Sequence, residues 1–269
     1  MKMEINDSVA VITGAASGIG QATALALAER GCHLALVDRD EIGLHKTAKM
    51  AQARPITISK HFVDLSQPEA IEALPQQVLA HHERVNILIN NAGVALVGSF
   101  EELSLEEIRW LFEINFMAVV GMTKAFLPLL RRQPQSQIVN ISSVFGIMAP
   151  PHQSAYASAK FAVRGFSESL RHELEGSTVG VTVVHPGGIK TEIASSARVA
   201  AAADPVAAAE GIKEFSKALR LSPEKAADEI VHAIETRRKR LLIGSDARLI
   251  DILQRLLPVS YWSVLRRLI

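Results

Sequence analysis

The sequence predicts an α/β fold with a doubly wound parallel sheet, and three observations support this prediction. Short runs rich in β-branched and other apolar residues alternate with longer stretches of helical periodicity, which is typical of βαβ units. The alternation continues along most of the chain. No Pro/Gly/Ser-rich linker interrupts it, so the 269 residues are expected to form a single domain.

The predicted strands and helices follow one another in a regular order. The first half reads as the strand SVAVIT, the helix GIGQATALALAERG, the strand HLALVD, the helix EIGLHKTAKMAQA and the strand ITISKHFVDL. The second half reads as the strand VNILIN, a helix from about Leu105 to Leu130, the strand QIVNIS, the helix SAYASAKFAVRGFSESLRHELEG and the strand VGVTVVHP. Ligands of such sheets bind at the carboxyl ends of the strands, so residues just after the strands are the candidates for a site.

Two regions depart from this alternation. The Ala-rich stretch from Ala194 to Leu221 lacks strand signals and follows a predicted strand end, where a mobile helical lid over a ligand is expected. The tail, about residues 246–269, has apolar residues at helical spacing together with four arginines, and Pro258 divides it. We expect the tail to cover the body of the protein or a neighbouring subunit, and contact with a membrane surface is the less favoured alternative.

Composition excludes several classes of protein. A hydrophobic fraction of 48% with 21% charged residues argues against extended disorder. The net charge of +1 provides no global basic field for nucleic acid. The basic run at residues 237–240 lies between a helix end and a strand, where we expect a solvated helix cap.

The cysteine and histidine content points to a protein without disulfides or bound metal. The single cysteine, Cys32, cannot form an intramolecular disulfide, and no Cys/His cluster has zinc-site spacing. His81 and His82 are expected on the surface. The sequence has no signal-peptide pattern and no run of about 18 charge-free apolar residues, so a cytoplasmic protein is expected.

A glycine-rich turn joins the first strand to the first helix. The segment TGAASGIG, residues 13–20, has the spacing G-x-x-x-G-x-G and therefore departs from the G-x-G-x-x-G fingerprint. Glycines there permit a tight turn and let a pyrophosphate approach backbone N–H groups at the start of a helix. A plain turn is the alternative, but Asp38 stands at the end of the next strand, where a ribose-binding carboxylate is expected.

Asp38 also predicts which dinucleotide binds. Its carboxylate should accept hydrogen bonds from the adenosine ribose and repel a 2′-phosphate, which favours NAD over NADP. Arg39 is a cation that could compensate, so NADP remains the alternative.

Tyr156 and Lys160 are spaced so that they lie on one face of a helix. An ammonium about 4 Å from a phenol favours the phenolate by about 4 kcal/mol at an effective dielectric near 20, or roughly three pKa units before desolvation opposes it. Tyr156 is then expected to act as the general base in alcohol oxidation and as the general acid in carbonyl reduction. The alternative is a half-buried helix tyrosine with a surface lysine one turn away.

Ser143 closes the strand before this helix, where its hydroxyl could hold the substrate oxygen beside Tyr156. Ser142 is expected to point the other way. The flanking loops are apolar and have no cation placed to clamp a carboxylate or phosphate, which predicts an apolar alcohol, ketone or lipid-like substrate. The loop residues concerned are Val94, Ala95, Leu96, Val144, Phe145, Ile147 and Met148.

Together these motifs resemble the short-chain dehydrogenase/reductase family over nearly the whole chain. The residues that carry the resemblance are TGAASGIG at 13–20, Asp64-Leu65, Asn90-Asn91-Ala92-Gly93, Asn115, Ser143, Tyr156 with Lys160, and His185-Pro186-Gly187-Gly188 followed by Thr191. The resemblance implies a Rossmann-type fold and an NAD(P)-dependent oxidoreductase. It also implies a homodimer or homotetramer joined through the helices that bear Asn115 and Tyr156.

The resemblance further assigns roles to these positions. It implies a catalytic set of Asn115, Ser143, Tyr156 and Lys160, in which Asn115 holds a water and Lys160 also binds the nicotinamide ribose. From the residues alone, Asn115 could equally kink its helix. The cofactor-binding candidates are Gly14, Ser17, Gly18, Ile19, Gly20, Asp38, Arg39, Asp64, Leu65, Asn91, Ala92, Gly93, Tyr156, Lys160, Pro186, Gly187, Ile189 and Thr191. The substrate-binding candidates are Ser143, Phe145, Met148 and Tyr156.

Two alternatives to this enzyme remain at this point. One is a nucleotide-sensing or scaffolding protein that keeps the fold without catalysis, because a fold does not fix a function. The other is an enzyme bound to a membrane surface that acts on lipid-phase substrates.

Overall fold

A computed structural model describes residues 2–267 of the chain. Seven strands form one sheet in the order β3-β2-β1-β4-β6-β7-β9, and all of its pairs are parallel. The strands are β1 (Val9–Thr13), β2 (His33–Asp38), β3 (Ile58–Phe62), β4 (Ile87–Asn90), β5 (Leu96–Val97), β6 (Ser136–Ile141), β7 (Val179–Pro186), β8 (Arg198–Val199) and β9 (Arg240–Ile243). The strand order reverses between β1 and β4, which is the topological switch point where doubly wound folds bind ligands.

Helices cover both faces of the sheet. They are α1 (Gly18–Ala28), α2 (Glu41–Ala51), α3 (Pro68–Leu79), α4 (Leu105–Phe112), α5 (Ala118–Leu130), α6 (Ser154–Glu173), α7 (Pro205–Ala218), α8 (Pro223–Glu235), α9 (Ser245–Leu256) and α10 (Tyr261–Leu265). A π-helical segment (Glu113–Met117) joins α4 to α5, and a 3₁₀ turn (Val144–Gly146) follows β6. The predicted doubly wound, single-domain α/β fold is confirmed.

The core divides into two layers, one on each side of the sheet. Neighbouring residues of one strand enter different layers: Ala10 and Ile12 pack with α1, α2 and α8, whereas Val11 packs with α3, α5 and α6. This is the alternation of side chains expected of a strand that is buried on both faces.

The long predicted helix is present as one run from Leu105 to Leu130. Its start is fixed by a capping box, in which Ser104 Oγ accepts from Glu107 N at 3.2 Å and Glu107 accepts from Ser104 N at 2.9 Å. Among residues 2–267 it is the one helix long and apolar enough to cross a membrane by length and composition, properties that a core helix shares. Here Leu111, Phe126 and Leu130 are fully buried in the protein.

Two expectations about local structure need correction. The 194–221 segment is helical only over α7, and Arg198–Val199 instead pair in parallel with Leu96–Val97 as a two-stranded sheet. A two-residue strand has too few residues to show periodicity, so no sequence pattern indicates it. His82 is buried, not exposed, because Ser59 Oγ lies 2.9 Å from its Nε2 and 2.8 Å from Nε2 of His61.

The basic run 237–240 was expected to be a solvated helix cap, but two of its arginines contact distant parts of the chain. Arg237 donates to the carbonyl of Thr178 at 3.0 Å, and Arg240 pairs with Asp251 at 2.6 Å. The run therefore contributes two tertiary contacts as well as exposed charge.

Candidate active site

The glycine turn after β1 has a backbone that only glycine adopts readily. Gly14 and Gly18 have φ of 65° and 54°. A Cβ atom on Gly20 would lie 2.0 Å from the carbonyl oxygen of Gly14. The turn leads into α1, whose first turn carries no acidic residue and whose N-cap Ser17 makes no side-chain capping bond. The free N–H groups and the helix dipole thus suit the pyrophosphate of a dinucleotide.

Thr13 ties this turn to the loop after β4. Its Oγ1 accepts from the backbone N–H groups of Asn91 and Ala92 at 2.9 and 3.0 Å, and it donates to the Ile89 carbonyl at 3.3 Å. The side-chain amide of Asn91 donates in return to the carbonyls of Thr13 and Gly14. These bonds hold the two central loops of the switch point against each other.

Asp38 lies at the carboxyl end of β2 and is held in a fixed orientation. Its Oδ2 accepts from Ala16 N at 3.0 Å, and its Oδ1 accepts from Asp40 N at 3.0 Å. Asp64, after β3, accepts from Ser66 N at 2.9 Å, and this backbone hydrogen bond lowers the pKa of its carboxyl. Both carboxylates line the end of the cleft where an adenosine would fit.

Tyr156, Ser143 and Lys160 meet at the other end of the cleft. The Ser143 side chain lies near enough to Tyr156 to lower the pKa of its phenol, and Ser143 Oγ accepts from Phe145 N at 3.1 Å. Lys160 Nζ lies 5.6 Å from the centre of the Tyr156 ring and donates to the Ile141 carbonyl at 3.1 Å. The i and i+4 spacing on α6 therefore brings the predicted groups together.

The pKa of Tyr156 moves in the opposite direction from the sequence expectation. Burial raises the pKa of its phenol to about 12, and the hydrogen bond with Ser143 lowers it only in part. Burial also lowers the pKa of Lys160 to about 8. Both shifts have one cause, since each group loses water and so disfavours its charged form. Desolvation, which the sequence could not weigh, outweighs the attraction between the two groups.

Asn115 lies behind the cleft instead of lining it. It is fully buried at the middle of the π-helical segment, and its side chain makes two bonds to Val94: Oδ1 accepts from Val94 N at 2.8 Å and Nδ2 donates to the Val94 carbonyl at 2.9 Å. A Cβ on Gly93 would lie 3.0 Å from Asn115 Oδ1 and 3.5 Å from Lys160 Nζ. Asn115 thus supports the loop that faces Lys160.

His185 and Ser142 hold the chain on either side of the cleft residues Ser143 and Lys160. Burial lowers the pKa of His185 to about 4, so the neutral ring donates from Nδ1 to the Ser143 carbonyl at 3.0 Å. Ser142 donates to the Lys160 carbonyl at 2.8 Å. The two adjacent serines therefore face different ways, as the strand alternation predicts.

One cleft of about 1630 Å³ contains the predicted site. Nearly all predicted cofactor and substrate residues line it, from Gly14 and Asp38 to Tyr156 and Thr191. Gly20 and Asn115 do not line it, because Gly20 is covered by Gly14 and Asn115 lies behind Gly93.

Several lining residues were not identified from the sequence. They come from α7, α9 and α10, and include Ile212, Phe215, Leu249, Ile250, Trp262 and Leu265. The amphipathic pattern of the tail was visible, but the surface it covers depends on contacts between distant parts of the chain. Arg220 and Asp246 also line the cleft.

The titratable groups do not suggest a metal centre. Within residues 2–267 there is no group of three or more His, Cys, Asp or Glu side chains placed to hold a metal ion.

Known proteins are similar to this chain in sequence and in fold. The family described as short chain dehydrogenase matches residues 8–202. A Mycobacterium tuberculosis relative named as an oxidoreductase, SadH, is 44% identical over 94% of this chain and 92% of its own. A Burkholderia phymatum short chain dehydrogenase/reductase, solved with NAD, has a TM-score of 0.87 and 30% identity over 94% of both chains.

A third neighbour differs in its nucleotide. An alcohol dehydrogenase from Thermococcus sibiricus, solved with 5-hydroxy-NADP, has a TM-score of 0.75 and 28% identity over 88% of this chain and 96% of its own. The family match, the large share of each chain covered by the relatives and the geometry of the cleft all support the same family assignment. The chain belongs to the short-chain dehydrogenase/reductase family of NAD(P)-dependent oxidoreductases.

Proposed function

We propose that this protein moves a hydride between NAD(H) and an apolar secondary alcohol or ketone, with Tyr156 as the general acid/base. The observation that carries the proposal is one continuous cleft with Asp38 at one end and the Tyr156–Ser143 hydroxyl pair beside Lys160 at the other. A dinucleotide laid along the glycine turn would extend from the carboxylate toward the hydroxyl pair. When bound, NAD supplies the C4 atom that accepts or returns the hydride.

The residues of the chain bind and orient the reacting oxygen. The hydroxyls of Ser143 and Tyr156 can both bond to it, and Tyr156 exchanges its proton. At neutral pH a phenol with a pKa of about 12 carries its proton, so it is ready to protonate a carbonyl oxygen. The Lys160 ammonium, 5.6 Å from the ring, favours the phenolate that reduction leaves and that oxidation requires.

NAD is the proposed cofactor, and NADP is the alternative. The Asp38 carboxylate faces the adenosine end of the cleft and would repel a 2′-phosphate. Arg39 also lines that end and could pair with the phosphate. The Burkholderia phymatum neighbour holds NAD and the Thermococcus sibiricus neighbour an NADP analogue, so the family fold accommodates either.

An apolar substrate is supported by the side chains around Tyr156. The Tyr156 ring packs edge-on against Phe145 with 6.2 Å between centroids, and Phe145 contacts Phe215 at 6.2 Å. Met148, Ile193 and Ile212 line the same part of the cleft. Arg220 also lines the cleft, so a substrate panel should include compounds that bear a carboxylate.

We also propose that the protein forms a homodimer or homotetramer in the cytoplasm. The helices that carry Asn115 and Tyr156 expose large apolar side chains, with Leu105 67%, Met117 46% and Phe161 38% exposed, which suits a contact between copies. Light scattering would measure the mass, and the Phe161→Asp variant should lower it. The free, buried Cys32 agrees with a reducing compartment.

A cofactor-coupled screen tests the proposed function. The absorbance of reduced nicotinamide is followed with NAD or NADP and secondary alcohols, and with NADH or NADPH and ketones. Turnover of apolar compounds with NAD(H) supports the proposal. Binding of NADH without turnover of any compound would instead support a non-catalytic nucleotide sensor of the same fold.

A further inference from the structure

The tail, residues 245–267, is anchored at the carboxyl edge of the sheet beside the site. At its start, Asp246 Oδ2 accepts from Gly188 N at 2.7 Å, and a Cβ on Gly187 would lie 2.2 Å from the same oxygen. Gly187 therefore leaves room for Asp246, and Gly188 donates the N–H that binds it. Farther along α9, buried Asp251 pairs with Arg240 of β9 at 2.6 Å and with Arg255 at 3.1 Å.

A second contact fixes the end of the tail to the substrate side of the cleft. Tyr261 Oη accepts from Ala149 N at 3.1 Å and donates to the Ala149 carbonyl at 3.5 Å. Ala149 follows Met148 in the loop that begins at catalytic Ser143. A shift of α10 would therefore move the same loop that supports the reacting oxygen.

The tail presents apolar side chains to the interior of the cleft. Leu249 and Ile250 of α9 and Trp262 and Leu265 of α10 line it. Phe215 of α7 and Met148, which line the same cleft, are apolar too. The cleft of about 1630 Å³ exceeds the roughly 300–1,000 Å³ of an ordinary ligand pocket, so it has room for a sizeable substrate beside a dinucleotide.

We propose that the tail forms the far wall of the substrate subsite and selects alcohols or ketones whose apolar part extends several carbon atoms beyond the reacting carbon. The inference rests on the proposed function. It adds the length of the preferred substrate and the residues that recognise this length. Leu249 and Trp262 are the specificity-determining residues. Each methylene group that is transferred from water to a contact with these side chains should raise kcat/KM by up to about fourfold.

A homologous series of methyl ketones, from 2-butanone to 2-undecanone, tests the inference in the full-length protein with NADH. In the wild type, log kcat/KM should rise steadily with chain length. Leu249→Ser and Trp262→Ala should each flatten that rise and lower kcat/KM for the longest ketone at least tenfold. The value for 2-butanone should change less than twofold.

A matched control is available on the same helix. Leu256 is 73% exposed and does not line the cleft, so Leu256→Ser should keep the wild-type dependence on length. The Leu249 side chain is 51% exposed, so Leu249→Ser should change the stability of the fold little. This variant therefore keeps the test valid if Trp262→Ala unfolds at a lower temperature. Calorimetric NADH binding should be the same in all variants.

The outcomes separate this inference from the proposed function. Turnover that does not rise with chain length in the wild type would overturn the inference, as would an unchanged length dependence in both Leu249→Ser and Trp262→Ala. If no ketone is reduced by the wild type at all, the proposed function itself fails.

Discussion

Asp38 Oδ2 accepts a hydrogen bond from the backbone N–H of Ala16 at 3.0 Å, so the end of β2 is joined to the glycine turn. One carboxylate thus both shapes the nucleotide-binding loop and faces the adenosine end of the cleft. Since its position is fixed by two backbone donors, it cannot turn away from a 2′-phosphate without breaking them.

Asp38→Ser is expected to reverse the cofactor preference in part. Two like charges at about 4 Å repel by about 4 kcal/mol at an effective dielectric of 20, so removal of the carboxylate should raise the NADP-to-NAD ratio of kcat/KM by at least 100-fold. Steady-state kinetics with both cofactors measure the ratio. Glu41→Gln, on the exposed start of α2, is the control and should leave it unchanged. An unaltered ratio in Asp38→Ser would show that another residue selects the cofactor.

Gly20 of the glycine turn and Gly165 of α6 predict opposite effects of a Gly→Ala substitution. Gly20→Ala places a methyl group 2.0 Å from the Gly14 carbonyl, so it should destabilise the fold by several kcal/mol and weaken NADH binding at least tenfold. Gly165 lies inside α6 with nothing within 4 Å of its added Cβ. Gly165→Ala should therefore stabilise by about 0.5–1 kcal/mol. Urea unfolding and calorimetric titration measure both, and equal effects would contradict the close approach at Gly20.

The raised pKa of Tyr156 predicts different pH dependences for the two directions. Below a pKa of about 12 the phenolate fraction rises with pH, so alcohol oxidation should accelerate from pH 7 upward, and less steeply above pH 8, where Lys160 loses the charge that favours the phenolate. Carbonyl reduction uses the protonated phenol and should not gain in this range. Initial rates in both directions give the profiles. An oxidation rate that is flat from pH 7 upward would mean that the phenol is already ionised at neutral pH.

Three buried histidines predict a loss of stability in weak acid. Burial lowers the pKa of His61, His82 and His185 to about 4, from an unfolded value of 6.5. Their contribution is present above pH 6.5 and is lost as the pH falls toward 4, because the unfolded chain binds the protons first. Between pH 7 and pH 5 each histidine can remove about 2 kcal/mol at most.

Urea unfolding at pH 7 and pH 5 measures this loss. His82→Asn should reduce the difference between the two values, whereas His172→Gln, at an exposed position of α6, should not. A free energy of unfolding that is the same at both pH values would show that the His61–Ser59–His82 cluster is open to solvent.

The sequence predicted the fold and the middle of the site because both depend on local patterns. Alternating strand and helix signals predict the doubly wound sheet. Because the strands are parallel, the residues after β1, β2, β4 and β6 meet at its carboxyl edge, and this does not depend on the details of side-chain packing. Ser143 faces the cleft and Ser142 faces α6 because neighbours on a strand alternate. The four-residue spacing of Tyr156 and Lys160 places both on one side of α6.

Features that depend on distant contacts were not predictable in the same way. His82 is buried because β3 brings Ser59 beside it, and Trp262 reaches the cleft because Tyr261 binds Ala149, 112 residues away. The direction of the Tyr156 pKa shift was wrong because it depends on desolvation, which follows from the whole surroundings of the phenol. Local sequence contains none of these contacts.

Replacement of Tyr156 by phenylalanine tests the central claim most directly, since it removes the proton-exchanging hydroxyl and keeps the ring that packs against Phe145. Single-turnover and steady-state rates of ketone reduction should fall at least 1,000-fold, which corresponds to about 4 kcal/mol. NADH affinity should stay within about twofold, and Ser158→Ala, at an exposed position of the same helix, should be fully active. A Tyr156→Phe variant that turns over at the wild-type rate would contradict the account.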